Sequence, residues 1–316
     1  MSLTVTPILP RFGAEVSGID ITRPIDAAKR REIVDTMDRW GVNVYRNTGL
    51  NDETHIAFSR IFGHLELAPS MPGRKTRHKY RELFDASNLN ADGEIIQDDM
   101  LMLHKKGDQL WHTDSSFMEL RTSYSLLLCH EAPPVEGYTW FADTRSAYDD
   151  LPQAMKDRIE HLEVEHSLWE SRRKAGFPLT EEEIDARPKA RQPLVMPQKA
   201  TGRKALYVAA HARDIVGMPA DEGRALLKEL IDWATQPRYV FSVQYAPGDL
   251  VIWDNLASMH RGGDYDAKTY RRDMRRTTVR EGSPPMIEDD PFGDYFRASL
   301  GGRSIADQKP APAPAA

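Results

Sequence analysis

The sequence has almost no cysteine, no long apolar run and no strong excess of charge. Cys129 is the only cysteine among 316 residues, which excludes an internal disulfide and any zinc or iron–sulfur site built from several thiolates. No apolar stretch approaches the roughly 20 residues that a membrane-spanning helix needs. The formal net charge of -6 is small, and basic and acidic residues alternate along most of the chain, so nucleic acid is not an expected partner.

The start of the chain, MSLTVTPILPRFG, also lacks the basic region and the long apolar segment of a secretory signal. We therefore expect a cytoplasmic protein that does not associate with membranes. With 40% hydrophobic residues, the chain can bury a substantial core. Because thiolates are nearly absent, any metal must be held by nitrogen and oxygen atoms.

Short strand patterns recur along the chain and predict a mainly β protein with flanking helices. Residues 26–41 and 53–63 predict two helices, each ended by a glycine, and residues 146–162 and 220–236 predict two more. Strand patterns occur in VNVYR, QLWHTDSSF, TSYSLLLCHE, GYTWFAD, ALYVAA, YVFSVQY, DLVIWDN and RRTTVRE. Many short strands with helices inserted between them favour a β-sandwich or a barrel core.

The expected organisation is a single domain over residues 1–281 and a C-terminal extension over 282–316, whose QKPAPAPAA tail should be disordered. Residues 66–109 are irregular for longer than a compact domain normally allows, which predicts a lid or substrate loop. Residues 170–204, charged and rich in Pro and Arg, predict an insertion near the mouth of the core.

Three residues form a candidate metal site. His112 and Asp114 are two positions apart in LWHTDSSF, and in an extended strand this spacing puts both side chains on one face. The best third ligand is His260, which follows the apolar strand pattern of GDLVIWDN. Two histidines and one carboxylate leave three positions of an octahedral iron open for a chelating co-substrate and O2. Since an isolated His-x-Asp is common by chance, the assignment also depends on the residues that follow.

Two arginines and a threonine supply that further support. Arg272 and Arg276 follow His260 in YRRDMRRTTVRE, and their spacing of four places them on one face of a strand. Fe(II) with one aspartate has a net charge of one plus and 2-oxoglutarate has two minus, so Arg272 would neutralise the site by gripping a carboxylate. The hydroxyl of Thr139 could add a hydrogen bond. Arg276 is left for a second anion.

The neighbouring cationic and histidine residues receive a plainer interpretation. Arg271 and Arg275 lie on the opposite face of the same strand pattern and are interpreted as solvated. Most other histidines are interpreted as structural or exposed: His55, His78, His104, His130, His161 and His166. His211, at a strand end in LYVAAHARD, is a candidate for lining the substrate pocket, together with Met71, Trp111 and Phe117.

These residues and motifs resemble the taurine dioxygenase and 2,4-dichlorophenoxyacetate dioxygenase family. GAEVSGID, HIAFSRIFG, LWHTDSSF, GYTWFAD, GDLVIWDN, MHRGG and RRDMRRTTV occur in the family's order between Gly13 and Glu281. The resemblance implies a double-stranded β-helix, or jelly-roll, core. It also implies a dioxygenase that uses Fe(II), 2-oxoglutarate and O2. We further expect the protein to form homo-oligomers.

The resemblance further implies residue roles. Iron would be bound by His112, Asp114 and His260, and 2-oxoglutarate by Thr139 and Arg272. Arg276 and the backbone amide of Ser116 would contact an acidic group of the substrate. The motifs look closest to the phenoxyacetate branch, which implies hydroxylation of an aryloxyalkanoate, cleavage of its ether, release of succinate and CO2, and a place in aromatic acid catabolism.

Three alternatives stay open from the sequence. Within enzymes, the substrate could be an alkyl sulfonate or a sulfate ester. Taurine itself is disfavoured, because FGHLELAP has Ala68 where taurine enzymes have a histidine. A zinc hydrolase could use the same triad, although no general base stands beside it in the sequence. A metal-free jelly-roll binding module is the third alternative.

Overall fold

The computed structural model of the chain describes residues 3–68 and 76–282. Its strands are β1 Thr4–Pro7, β2 Ala14–Ser17, β3 Val42–Tyr45, β4 Phe84–Asp85, β5 Thr122–Glu131, β6 Thr139–Asp143, β7 Glu163–His166, β8 Ala190–Pro193, β9 Val195–Pro197, β10 Lys204–Leu206, β11 Ala212–Ile215, β12 Val240–Val243, β13 Leu250–Asp254, β14 Ser258–Gly262 and β15 Asp273–Arg280. Its helices are α1 Ala27–Trp40, α2 Asp52–Ser59, α3 Asp99–Lys105, α4 Thr144–Asp149, α5 Gln153–Ile159, α6 Leu168–Lys174, α7 Glu181–Asp185 and α8 Ala220–Ala234, with short 3-10 turns at Lys106–Gln109 and Pro237–Tyr239. No described helix is long and apolar enough to cross a membrane.

Two sheets enclose the main core. The larger sheet has the strand order β1-β2-β3-β13-β5-β15-β4, and a smaller one has the order β12-β6-β14. Their facing side chains form one buried apolar cluster, in which Phe141 and Phe241 come from the smaller sheet and Leu127, Trp253 and Met274 from the larger one. The chain is therefore mainly β in its core, as the strand patterns predicted.

Helices α1 and α2 cover the outer face of the larger sheet. Leu126 and Leu128 point to this face, whereas Leu127 between them points to the inner one, as the two-residue period of a strand requires. Ile33 and Met37 of α1 are fully buried against the outer face. The predicted glycine stop of α1 is confirmed, because Gly41 follows with φ 70°, a left-handed conformation that glycine tolerates best.

Three expected elements differ in the structure. The stretch 109–117 contains no strand, and within it only His112 forms an isolated bridge, to His260. The helix expected over 146–162 is two helices, α4 and α5, because Pro152 lacks an amide hydrogen and disfavours helix in the residue before it. Helix α2 ends at Ser59, earlier than the glycine stop predicted at Gly63.

The two irregular regions predicted from sequence contain some regular structure. Within 66–109, the described residues include β4, α3 and a 3-10 turn, and within 170–204 they include α7, β8 and β9. Trp169 and Phe177 pack together in a buried cluster beside α3, so the second region is anchored by an apolar core. The C-terminal extension beyond Gly282 and the pocket residue Met71 lie outside the described residues.

Candidate metal and substrate site

The backbones of His112 and His260 bond to each other in both directions and bring the two imidazoles together. The amide of His112 donates to the carbonyl of His260 at 2.9 Å, and the reverse bond is 2.8 Å. Their ring centroids are 4.2 Å apart. Asp114 returns to the same point through a turn in which Ser115 has φ 52°. The three side chains therefore converge as predicted, although a turn and not a continuous strand orients Asp114.

Ligand atoms of all three residues lie within 4.8 Å of one another, and the three side chains are buried. The Nε2 atoms of His112 and His260 are 4.0 and 3.8 Å from the carboxylate oxygens of Asp114. His112 Nδ1 lies 2.8 Å from the carbonyl oxygen of Leu110, an acceptor that keeps the proton on Nδ1 and leaves the Nε2 lone pair for a metal. Two imidazoles and one carboxylate at these separations fit the donor set of a non-haem Fe(II) site.

Asp114 is held by a buried network centred on Asn255. Its Oδ2 accepts a hydrogen bond from Ser125 Oγ at 2.7 Å, and its amide donates to Asn255 Oδ1 at 3.1 Å. The same Oδ1 accepts from Trp253 Nε1 at 3.0 Å, while Asn255 Nδ2 donates to Ser125 at 3.0 Å. Sequence reasoning did not assign Asn255 a role. Its only signal was the polar turn that follows the apolar strand.

The electrostatics of the site favour a charged Asp114 carboxylate beside a neutral His260. Burial by itself raises the pKa of Asp114, but the positive charge of Arg276 and the two histidines outweigh it and hold that pKa below its ordinary value. Burial lowers the pKa of His260 to about 3. A carboxylate that stays charged beside an imidazole that stays neutral is the protonation state that metal binding requires.

Arg276 contacts the metal carboxylate directly. Its Nη1 donates to Asp114 Oδ1 at 2.5 Å, and its guanidinium lies 5.3 Å from the ring centroid of Phe84, its neighbour across the sheet. The sequence did not show that Asp114 lies within reach of this guanidinium. Its role toward a substrate stays a prediction.

Arg272 and Thr139 both influence the buried Tyr245. Burial raises the pKa of Tyr245 to about 12, an effect that Thr139 and the charge of Arg272 oppose. Arg272 Nη1 also donates to the carbonyl of Ala86 at 3.0 Å. Thr139 of β6 pairs with Gly262 of β14, the strand that contains His260. The contact of these two residues with 2-oxoglutarate remains a prediction.

The flanking arginines differ from each other. Arg271 is exposed and bonds to Glu131, in agreement with the interpretation as a solvated residue. Arg275 is not solvated: its Nη1 bonds to Asp52 at 2.7 Å and its Nη2 to Asp273 at 3.3 Å, with only 21% of its side chain exposed. It ties β15 to the start of α2.

Ser116 and His211 are joined in a buried chain with His166. The hydroxyl of Ser116 is 3.0 Å from the Nδ1 of His211 and 3.0 Å from the Nδ1 of His166. The ring of His211 meets Phe117 edge to face at 5.0 Å and His112 at 5.8 Å. The structure therefore brings the predicted residues Ser116, Phe117 and His211 beside the triad. Sequence reasoning identified His166 only as structural.

Trp111 and Glu66 also differ from expectation. Trp111 packs against the apolar cluster that includes Leu226 and Leu230 of α8, so it does not share the position of Phe117. Glu66, which sequence reasoning passed over within a charged loop, is 3% exposed and accepts a hydrogen bond from Ser115 Oγ at 3.3 Å. Burial raises its pKa to about 7, against the influence of Arg276 and Arg280.

Residues 4–278 match the model of the family described as taurine catabolism dioxygenase TauD, TfdA family. The chain belongs to this family. It is 40% identical to an alpha-ketoglutarate-dependent 2,4-dichlorophenoxyacetate dioxygenase of Cupriavidus pinatubonensis, over 88% of this chain and 98% of the relative. It is 33% identical to an (S)-phenoxypropionate/alpha-ketoglutarate-dioxygenase of Sphingobium herbicidovorans, over 87% of this chain and 94% of the relative.

A solved structure agrees with these similarities. The crystal structure of AAD-2 in complex with Mn(II) and N-oxalylglycine matches with a TM-score of 0.80 and 37% identity, covering 92% of this chain and all of that one. The chain is thus a 2-oxoglutarate-dependent dioxygenase of the TauD, TfdA family, and His112, Asp114 and His260 form a group that could hold a metal ion. Neither the zinc hydrolase nor the metal-free binding module finds support in these similarities.

Proposed function

We propose that this dioxygenase hydroxylates a small aromatic acid of the aryloxyalkanoate type and that the hydroxylated product loses its ether bond. 2-Oxoglutarate and O2 are consumed, and succinate and CO2 are released. The observation that carries the proposal is the position of Arg276, a half-buried cation that contacts the metal carboxylate Asp114. Relatives that act on phenoxyacetates and phenoxypropionates support the substrate class.

The fold proposed for this activity is the double-stranded β-helix over residues 1–281. Two facing sheets with the triad at one margin of their shared core support it, because His260 lies in β14 and Asp114 bonds to Ser125 of β5. The bound Fe(II) would supply the activation of O2, while the chain supplies position and exclusion of water. Residues 66–109 are proposed as the lid over this margin.

Arg272 and Thr139 are proposed to hold 2-oxoglutarate. Arg272 has a donor arrangement that matches a carboxylate bidentately, and Thr139 is buried in the strand next to that of His260. The charge of the metal, Asp114 and the dianion would then sum to zero with Arg272. No other cation is needed for the co-substrate, which leaves Arg276 available.

Arg276 is proposed to exchange partners when substrate binds. Its guanidinium donates to the carboxylate of Asp114. A bound cation would neutralise Asp114 instead, and a half-buried guanidinium without an anion is costly. A substrate carboxylate is the natural replacement. The aromatic body of the acid would then pack near Phe117 and His211, with the backbone amide of Ser116 as a second contact for its carboxylate.

A comparison of three substrates tests this proposal. Phenoxyacetate, its methyl ester and an alkyl sulfonate would be assayed with the iron-loaded enzyme by succinate formation and product mass. We expect turnover of the acid and little turnover of the neutral ester. Equal turnover of acid and ester would contradict the anion-anchor idea, and preference for the sulfonate would favour the alkyl sulfonate or sulfate ester alternative.

The matched variants are Arg276→Ala and Arg271→Ala. Arg276→Ala should lose activity on the acid while still decarboxylating 2-oxoglutarate slowly without coupling. Arg271→Ala removes an exposed arginine from the same segment and should leave both reactions unchanged. Equal losses in the two variants would show that Arg276 has no special role toward the substrate.

A further inference from the structure

The bonds of the Ser116 hydroxyl constrain where two histidines carry their protons. Its Oγ lies 3.0 Å from the Nδ1 atoms of both His166 and His211. A hydroxyl has one hydrogen and can accept two hydrogen bonds, so it can donate to only one of the two rings. Among the described residues, the two ring nitrogens are its hydrogen-bond partners, so its hydrogen finds an acceptor only if it donates to one ring and accepts from the other. When both rings are neutral, this arrangement makes His166 and His211 opposite tautomers.

The surroundings of His166 decide the direction. The ring is fully buried, it stacks on Tyr207 at 5.7 Å, and its Nε2 has no hydrogen-bond partner in the described part of the chain. A buried N–H without an acceptor costs more than an unpaired lone pair. The proton of His166 therefore belongs on Nδ1, from which it is donated to Ser116 Oγ.

The same direction continues to His211. Ser116 then donates its own hydrogen to Nδ1 of His211, which leaves the proton of that ring on Nε2. Among the described residues, Nδ1 is the ring nitrogen of His211 that has a hydrogen-bond partner. Its ring meets His112 and Phe117 edge to face, so this N–H belongs to the region beside the metal triad.

We propose that His166 is a positioning residue that acts through Ser116 to fix His211 as an Nε2–H donor for an oxygen of the substrate. This inference rests on the proposed function for the identity of that oxygen, a carboxylate or ether oxygen of an aryloxy acid. His166 itself stays out of contact with substrate. Burial lowers the pKa of His166 to about 3, so the ring is neutral at the pH of the assay.

The tautomers can be observed without any activity measurement. The full chain, labelled with 15N-histidine and loaded with diamagnetic Zn(II) in place of iron, would be studied by two-bond 1H–15N correlation spectra. We expect the Nδ1-protonated pattern for His166 and the Nε2-protonated pattern for His211, with assignment by single His→Asn variants. The opposite pair of tautomers, or a charged His166, would overturn the proposal whatever the substrate is.

Kinetics then separate positioning from structural support. Ser116→Ala and His166→Leu break the chain, whereas His166→Asn keeps a donor near the place of Nδ1. We expect the first two to raise the KM for the aryloxy acid by about tenfold, the value of one hydrogen bond of roughly 1.4 kcal/mol, with little change in the requirement for 2-oxoglutarate. His166→Asn should retain most of the affinity.

The control is Ser167→Ala, a buried serine next to His166 whose hydroxyl has no partner in the described structure. It should behave as the wild type. Equal losses in His166→Leu and His166→Asn, or a loss in the control as large as in Ser116→Ala, would overturn the positioning role. If no aryloxy acid is turned over by the wild type, the proposed function fails, and the tautomer spectra still decide this inference.

Discussion

Two regions meet at the metal site and satisfy their polar groups in different ways. One, called the metal floor, consists of Asp114, Ser125, Asn255, His112 and His260, and its side chains bond mainly to one another or to backbone, except that Nδ1 of His260 has no partner in the described part of the chain. The other, called the wall, consists of Glu66, Ser116, His211, Arg272 and Arg276. On the wall, the guanidinium of Arg276 donates to the carboxylate of Asp114, which belongs to the floor. Burial raises the pKa of the wall residue Glu66 to about 7.

The difference indicates which interactions must survive binding and which must change. A bond within the floor positions a ligand atom and has no reason to break when iron or substrate arrives. The contact of Arg276 with Asp114 differs, because a metal would bind the Asp114 carboxylate and a substrate anion would bind the Arg276 guanidinium. Substitutions on the floor should therefore act on metal binding, whereas substitutions on the wall should act on co-substrate, substrate and pH response.

The largest expected effect comes from the floor ligands. His112→Ala, Asp114→Ala and His260→Ala should each abolish iron-dependent turnover, because a triad that loses one donor no longer holds the metal in place. Each variant should retain its fold, since the removed atoms belong to the site and not to the apolar core. Succinate formation and bound iron would be measured, with circular dichroism as the folding control. Full activity in any variant would remove that residue from the triad.

The next effect belongs to the wall. Arg272→Ala should raise the concentration of 2-oxoglutarate required for half-maximal activity, because a buried carboxylate would lose its charge-assisted partner at a cost of roughly 2–5 kcal/mol. Iron binding in the absence of co-substrate should be unchanged, and this separates wall from floor. An unchanged 2-oxoglutarate requirement would mean that another arginine, with Arg276 the best candidate, holds the co-substrate.

A smaller effect is expected from the support of the floor. Asn255→Ala removes bonds to Asp114 and Ser125 together and should weaken iron affinity by about 10- to 100-fold, as for other residues that orient a ligand. Ser125→Ala leaves intact the hydrogen bond from the backbone amide of Asp114 to Asn255 and should reduce iron affinity less. Competition with a chelator would measure both. A larger loss in Ser125→Ala than in Asn255→Ala would contradict the central place of Asn255.

The sequence predicted the ligands of the floor better than their supports. His112, Asp114 and His260 were identifiable because their residue types suit a metal and because the arginines and motifs around them supported the assignment. Arg272 was selected because the charge of the site calls for a cation, and its contact with 2-oxoglutarate stays a prediction. Asn255 has a common residue type, and its importance comes from a turn that brings it to Asp114 through space, which spacing along the chain does not show.

The limits were greater along the wall. Arg276 was assigned to a second anion, and its position along the strand does not reveal that Asp114 lies within reach. His166 lies 50 residues from Ser116 in sequence, and β7 carries it there by pairing with β11. Long-range strand pairing therefore determines which polar side chains share a buried environment, while local patterns predicted most helices and strands.

The last expected effect acts on stability and not on turnover, and it sharpens the contrast through pH. Burial raises the pKa of Glu66 to about 7 from an ordinary 4.5, so the folded metal-free protein holds a proton that the unfolded chain releases above pH 4.5. The contribution of Glu66 to stability is therefore complete at low pH and is lost as pH rises from about 4.5 to 7, at up to about 1.4 kcal/mol per pH unit.

Glu66→Gln, which is always neutral, should lack this decline. Urea unfolding of both proteins at several pH values between 5 and 8 would measure the difference, which isolates Glu66 from Asp254, another buried carboxyl whose pKa is raised. Parallel pH profiles for wild type and variant would show that Arg276 and Arg280 keep Glu66 charged, and would make the wall an ion-paired surface like the floor.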